Sequence, residues 1–237
     1  MKKFHWILCC AILFTLFSAC QRREDYGAIQ ESEMTIGLQN FQKLEMGDAF
    51  VIEVVHGSEF SIVAKGDKRN LDDLEYWVSN QTLKLNYKNH RNRQYSTRIY
   101  ITMPSLQEIN FSGASKSTIK GFIETGSFKI NLSGASICDL QVQASNFTFY
   151  ISGASKLKIL ESLNTNKIEA YISGASTFNG FLAKAEIYNV DISGASTAEI
   201  SANQTLKVTA SGASYVRYKG SPTIESHLSG ESHLQQD

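Results

Sequence analysis

Cysteine and proline are scarce in this chain, and no sign of charge is in excess. The 237 residues hold four cysteines and two prolines, with 23 basic residues against 23 acidic ones. Cys9 and Cys10 fall inside an apolar N-terminal run and Cys20 ends it, which leaves Cys138 alone in the body of the chain. An intramolecular disulfide is thereby excluded, so stability has to come from packing. The prolines, Pro104 and Pro222, stand far apart, and no stretch rich in Pro, Ser or Gly divides the chain into linked domains. Of the 23 basic residues, Lys2 and Lys3 belong to the leader; the remaining 21 against 23 acidic residues give a net charge of about −2. A chain so nearly neutral has no basic field to attract nucleic acid, which is excluded as a partner.

The leader has its own logic. Lys2 and Lys3 precede an uncharged, mostly apolar run from Phe4 to Phe17, closed by Ser18-Ala19-Cys20. The run is short for a membrane span and ends in small residues, as export signals do. Residues 1–19 read as a signal peptide. The small-small-Cys ending resembles a bacterial lipoprotein signal, with cleavage before Cys20 and acylation of that residue; an ordinary secretory signal is the other reading. Acyl chains bury methylenes at about 0.8 kcal/mol each, so several anchor a protein stably. The expected partner is therefore a membrane, reached through lipid on Cys20, and the expected location is the outer membrane, on its surface or periplasmic face. Residues 20–33 read as a polar leash. Glu24 and Asp25 resemble the surface-export signal of Bacteroidetes lipoproteins, diluted by Arg22 and Arg23.

What the chain has in abundance is one tetrapeptide. Ser-Gly-Ala-Ser begins at Ser112, Ser133, Ser152, Ser173, Ser193 and Ser211, and an altered copy, Ser229-Gly230-Glu231-Ser232, follows. The starts are 21, 19, 21, 20, 18 and 18 residues apart. A unit of about 20 residues cannot bury its own apolar face and must stack on its neighbours. Aligned on the first Ser, the copies alternate strictly. Phe111, Leu132, Ile151, Ile172 and Ile192 precede it, while Asn110, Asn131, Tyr150, Tyr171 and Asp191 stand one residue further back. This period of two marks a strand entering the motif, and the residues after the motif alternate likewise. The tetrapeptide itself reads as a corner: Gly permits a left-handed backbone, Ala allows close stacking, and Ser hydroxyls bond neighbouring backbone. A serine nucleophile needs one special Ser beside a base, and here the Ser recurs in every rung. Stacked at about 4.8 Å, the six intervals span roughly 29 Å. The fold class is all-β, a parallel β-helix-like solenoid with about 20-residue rungs, occupying residues 105–237. Residues 34–104 lack the motif but alternate between turns, and read as a β-rich entry or cap continuous with the solenoid. Leu71 to Tyr76 is expected to form its one helical turn.

The order of these segments carries a resemblance. Phe50-Val51-Ile52-Glu53-Val54, Ser61 to Asp67, Thr82-Leu83-Lys84-Leu85 and Ile99 to Leu106 lead into the repeated corners. From about Phe41 to Leu228 the chain resembles the putative auto-transporter adhesin head GIN domain family of Bacteroidetes. The resemblance implies a right-handed β-helix and an adhesin-like role, with no catalytic residues attached.

Candidate sites are few. Tyr150 and Tyr171 share an outward column on adjacent rungs, so their rings should lie about 4.8 Å apart, as a platform for a ligand or as a ladder that stabilises the sheet. Glu225-Ser226-His227 and Glu231-Ser232-His233 offer imidazoles and carboxylates, but local repetition explains them without a metal. Lys88, His90, Arg91, Arg93 and Arg98 suit either an anion site or, preferably, a solvated hairpin tip. The column Asp139, Lys158, Asn179, Glu199 and Arg217 mixes the residue types of polysaccharide-cleaving enzymes, yet alternates in sign like an ion-pair ladder. Cys138 stands in an inward column as a small buried hydrophobe. The reading calls for no cofactor, no metal and no catalytic residue. It is a lipid-anchored, non-enzymatic envelope solenoid for adhesion or surface interaction, with a glycan or an envelope protein as candidate partner and side-by-side homo-oligomers as a further expectation. The alternative is an envelope β-helix that binds or degrades polysaccharide.

Overall fold

The computed structural model describes residues 27–237, and the expected signal peptide and Cys20 lie outside them. Its strands form a β-solenoid of about six turns with spacing near 20 residues. The repetitive part runs through β9 (Lys116–Leu132), β10 (Ile137–Ile151), β11 (Lys156–Ile159), β12 (Leu163–Ile172), β13 (Thr177–Ile192), β14 (Thr197–Ala210), β15 (Tyr215–Lys219), β16 (Thr223–Leu228) and β17 (His233–Gln236). Each pairs in parallel with the equivalent strand one rung away, as Tyr150↔Tyr171↔Asp191↔Thr209 illustrates. Long strands turn the solenoid's edges by breaking register, at Gln141/Val142 and Ala144/Asn146 between β9 and β10.

The corners explain the tetrapeptide. Its glycines hold positive φ, from 61° at Gly113 to 80° at Gly174. A Cβ on Gly174 would lie 2.3 Å from the carbonyl oxygen of Gly153, so the column excludes side chains by contact as well as by backbone angle. That same oxygen accepts a 2.7 Å hydrogen bond from the Ala175 amide, and the bond repeats along the stack. The second Ser is buried in every Ser-Gly-Ala-Ser copy. Its hydroxyl donates back to the first Ser carbonyl, at 2.9 Å from Ser136 and 2.8 Å from Ser176, or joins the next rung, as Ser115 does with Ser136 at 3.1 Å. Ala departs from expectation. Its methyl faces solvent, and only its amide takes part in the stacking. Glu231 therefore fits the same column, with its amide 2.8 Å from the Gly212 oxygen.

The rungs begin earlier than the tetrapeptide. β2 (Lys43–Met46) and β3 (Val51–His56) pair in parallel with β8 (Glu108–Phe111) and with the start of β9. The turn joining them, Gly47-Asp48-Ala49-Phe50, stacks on Gly113, whose oxygen accepts the Ala49 amide at 2.8 Å. Asp48 and Ala49 take φ of 57° and 59°, close to Gly113 and Ala114 at 61° and 65°. Asp tolerates this region, and its carboxylate accepts the Tyr87 amide at 3.0 Å. Beyond this rung lies another, from β6 (Thr82–Tyr87) and β7 (Arg98–Met103), so the chain passes outward and then returns across a completed rung to β8. The boundary drawn at 104/105 thus falls inside the stack.

Antiparallel strands close this end: β4 (Ser61–Asp67) against β7, β5 (Leu74–Ser79) against β6, and β1 (Glu31–Thr35) against β4. They cover edges that would otherwise offer unpaired backbone groups. Glu31 to Glu33, expected in the leash, belong to this cap. The helical turn is α1 (Lys68–Leu71), not Leu71 to Tyr76, because buried Asp67 caps it by accepting the Arg69 amide at 2.9 Å. The Arg69 guanidinium, bonded to the same carboxylate, holds Asp67 well below the usual carboxylate range.

Inside, apolar columns run the length of the stack. Phe128, Phe147, Phe149 and Phe178 touch in series, with ring centroids 6.1, 5.4 and 5.2 Å apart. Cys138 is fully buried, and desolvation pushes its thiol up to about 12, so it behaves as a hydrophobe. Tyr188 is also fully buried, and its hydroxyl has no hydrogen-bond partner among the described residues. This geometry sets the expected stability of three variants. Gly174→Ala should lower unfolding free energy by about 2–3 kcal/mol through strain and contact with Gly153, while Gly37→Ala, in open space, should change it by less than about 0.5 kcal/mol. Tyr188→Phe, which removes an unsatisfied buried hydroxyl, should raise it by about 1 kcal/mol. Urea midpoints at fixed slope measure all three, and a stable Gly174→Ala protein would refute the contact argument.

Candidate binding face

Outward positions of the strand that enters each corner form one straight column. Backbone register joins Trp77, Lys84, Glu45, Asn110, Asn131, Tyr150, Tyr171, Asp191, Thr209 and His227 in that order. The Tyr150 and Tyr171 rings lie 4.9 Å apart and 9° from parallel, as their shared column requires. Both are well exposed, at 41% and 42%. Lys129 places its ammonium 5.5 Å from the Tyr150 centroid, over the ring. Beside the pair lies a shallow cavity of about 340 Å³, bounded by the tyrosines, Asp191 and the first serines of three corners, Ser152, Ser173 and Ser193.

Most charge on this face is paired internally. Glu45 meets Lys84 at 3.0 Å, Glu108 meets Lys129 at 3.2 Å, Glu169 meets Lys167 at 2.6 Å and Glu225 meets Lys207 at 2.8 Å. The Lys207 ammonium lowers the Glu225 carboxyl from its ordinary value. Such exposed pairs contribute little stability, but they cancel the local field.

A second cavity, of about 480 Å³, lies at the capped end of the same column, among Trp77, Lys84, Glu45, Asn110 and His90. Sequence reasoning missed it. Trp77 reaches the column because β5 and β6 form a tight hairpin through Asn80 and Gln81, whose φ of 50° and 59° make the two-residue turn.

The remaining candidates resolve differently. Arg91 and Arg93 do not form a solvated tip. Both guanidiniums pair with buried Asp73, and that of Arg93 lies 3.4 Å from the Tyr87 ring centroid. Their charge is spent on holding the loop between β6 and β7, while Lys88, His90 and Arg98 stay exposed. Glu225 is engaged by Lys207, and the His233 ring lies 2.9 Å from the Glu231 carbonyl oxygen. Among the described residues no three metal-ligating side chains converge. The column Asp139, Lys158, Asn179, Glu199, Arg217 is in register, and Arg217 bonds Glu199 at 3.0 Å and also meets Asp237.

Comparison with known proteins places this geometry. The chain is similar to a putative adhesin from Bacteroides fragilis (TM-score 0.75, 19% identity, 88% of this chain and 97% of that one). A putative adhesin from Parabacteroides merdae gives 0.71 at 17% identity over 87% and 96%. A putative lipid binding protein from Parabacteroides distasonis gives 0.67 at 18% over 91% and 100%. At such identities these likenesses establish the fold alone. No curated protein matches the sequence. The family model described as putative auto-transporter adhesin, head GIN domain, matches residues 40–222, and the chain belongs to that family.

Proposed function

We infer that this protein is a non-enzymatic adhesin of the cell envelope, tethered through lipid on Cys20 and presenting the tyrosine face of its solenoid to a partner surface. The observation that carries this reading is the exposed Tyr150–Tyr171 stack on a rigid face whose surrounding ion pairs cancel. Solvent-facing aromatics that neither fill a core nor pair with an aliphatic neighbour supply contact area at low entropic cost, because the stack already fixes their rotamers. Family membership supports an adhesion-type role at a cell surface. The degrading alternative needs two free carboxylates facing one another across a groove. Around the tyrosine stack Glu45, Glu108, Glu169 and Glu225 are instead committed to lysines, which leaves Asp191 as a lone carboxylate there and favours binding over cleavage.

Two measurements test the reading. Replacing Cys20 by Ala should move the full chain from the membrane fraction to the soluble envelope fraction and abolish incorporation of a palmitate analogue. Protease added to intact cells should release the solenoid by cutting the leash between Cys20 and Gln30. Protection until the outer membrane is opened would put the body in the periplasm and sink the adhesin reading.

A further inference from the structure

The two tyrosines are not equivalent. Tyr150 is sandwiched, with Tyr171 on one face and the Lys129 ammonium over the ring from the neighbouring rung. Tyr171 has Tyr150 on one face only. On its other side the column drops to Asp191 and then Thr209, side chains too short to cover a ring. The cavity of about 340 Å³ opens at that step, with Ser173 and Ser193 on its corner side. Asp191 is itself exceptional. The other carboxylates of this column and the one beside it, Glu45, Glu108, Glu169 and Glu225, each have a lysine partner, whereas Asp191 has neither ion pair nor hydrogen bond among the described residues. The one open aromatic face of the stack thus adjoins the one uncommitted carboxylate of the face.

We propose that the open face of Tyr171, with Asp191, Thr209 and Ser193, forms a subsite for a single neutral hexopyranose at the end or on a branch of a glycan. This rests on the adhesin reading and names its ligand. One side of a pyranose is a patch of C–H groups that packs against an aromatic ring and excludes water from it. The hydroxyls along its rim are donors, and an ionised carboxylate offers about four acceptor sites on two oxygens, enough to take two adjacent hydroxyls at once. The Thr209 and Ser193 hydroxyls both donate and accept, so they suit the remaining rim positions. Charge selects within the glycans. A uronic acid, sialic acid or phosphorylated sugar would meet the Asp191 carboxylate with no cation committed to screen it, so the subsite takes neutral sugars. Its shallow form gives weak single-site binding, raised when many anchored copies meet a repetitive polysaccharide.

The test is native affinity electrophoresis of the detergent-solubilised full chain through gels containing mannan, galactan, β-glucan, a polyuronate or polylysine. At least one neutral polysaccharide should retard the protein. Tyr171→Ala and Asp191→Asn should each weaken that retardation about tenfold, Tyr171→Phe should keep it within about threefold because the ring face is preserved, and Tyr100→Ala on another face should leave it unchanged. All three positions are exposed, and coincident urea midpoints would show that the variants fold. Retardation by polylysine that is lost in Asp191→Asn but kept in Tyr171→Ala would identify a site for basic protein segments and overturn the proposal. So would migration unaffected by every neutral polysaccharide. The adhesin reading is scored apart, by adhesion of cells carrying Tyr150→Ala/Tyr171→Ala. If that falls while no neutral glycan retards the protein, the subsite is wrong and the adhesive face stands.

Discussion

One hydrogen bond sets the terms for the molecule: in the five corners from Gly153 onward, the amide after the glycine donates to the glycine carbonyl of the rung before. At 2.7–2.8 Å and repeated from Ala154 to Glu231, it carries the parallel ladder through the turn, where a sheet would normally lose its pairing. The approach leaves no room for a Cβ, since the oxygen that accepts the bond would sit 2.3–2.8 Å from one on Gly153, Gly174, Gly194, Gly212 or Gly230. Glycine is thus required twice over, by backbone angle and by contact. With the corners locked in register, residues within a few positions of the motif fall into straight columns, inward or outward. The Phe128–Phe147 contact inside and the tyrosine pair outside follow from that alignment.

Alignment also decides what the side chains can do. Inward columns must fill space between rungs without polar atoms, and the exceptions are instructive. The buried second serine satisfies its hydroxyl on a carbonyl three residues back, as in Ser136, Ser176 and Ser214, or on the neighbouring rung, as in Ser115 and Ser196. Tyr188 has no such local partner, and its buried hydroxyl is unbonded among the described residues, an unusual concession. Outward columns are freer, and the chain uses them mainly for ion pairs across or along strands.

Much of this was legible in the sequence because the signal is local and repeated. Spacing, corner chemistry, inward Cys138 and the stacked Tyr150 and Tyr171 all follow from a motif that recurs seven times, once altered. The parts that were not legible depend on conformation without composition. Gly47-Asp48-Ala49-Phe50 makes nearly the backbone of Ser112-Gly113-Ala114-Ser115, but shares only its alanine with that tetrapeptide. The return across a finished rung, from β7 to β8, is a matter of topology. Asp73, at a distance of 18 and 20 residues from Arg91 and Arg93, draws a run of cations into the body that composition alone assigns to solvent. Alanine was misplaced for a subtler reason. A small residue in a repeated column suggests tight packing, yet here the backbone makes the contact and the methyl points away.

The candidate site shows how a repetitive scaffold acquires a specific place. A perfect repeat presents the same surface at every rung and can bind only what is equally periodic. Specificity needs a break in the column, and the outward column breaks where two large rings give way to Asp191 and Thr209. The break exposes a flat apolar face and leaves a carboxylate without a lysine, two features that a regular ladder would have hidden by stacking and by ion pairing. Because the backbone beneath continues in register, the rung change costs the fold nothing that the corners do not already supply. Recognition can therefore vary in this architecture by exchanging outward residues one rung at a time, while the glycine column stays as it is.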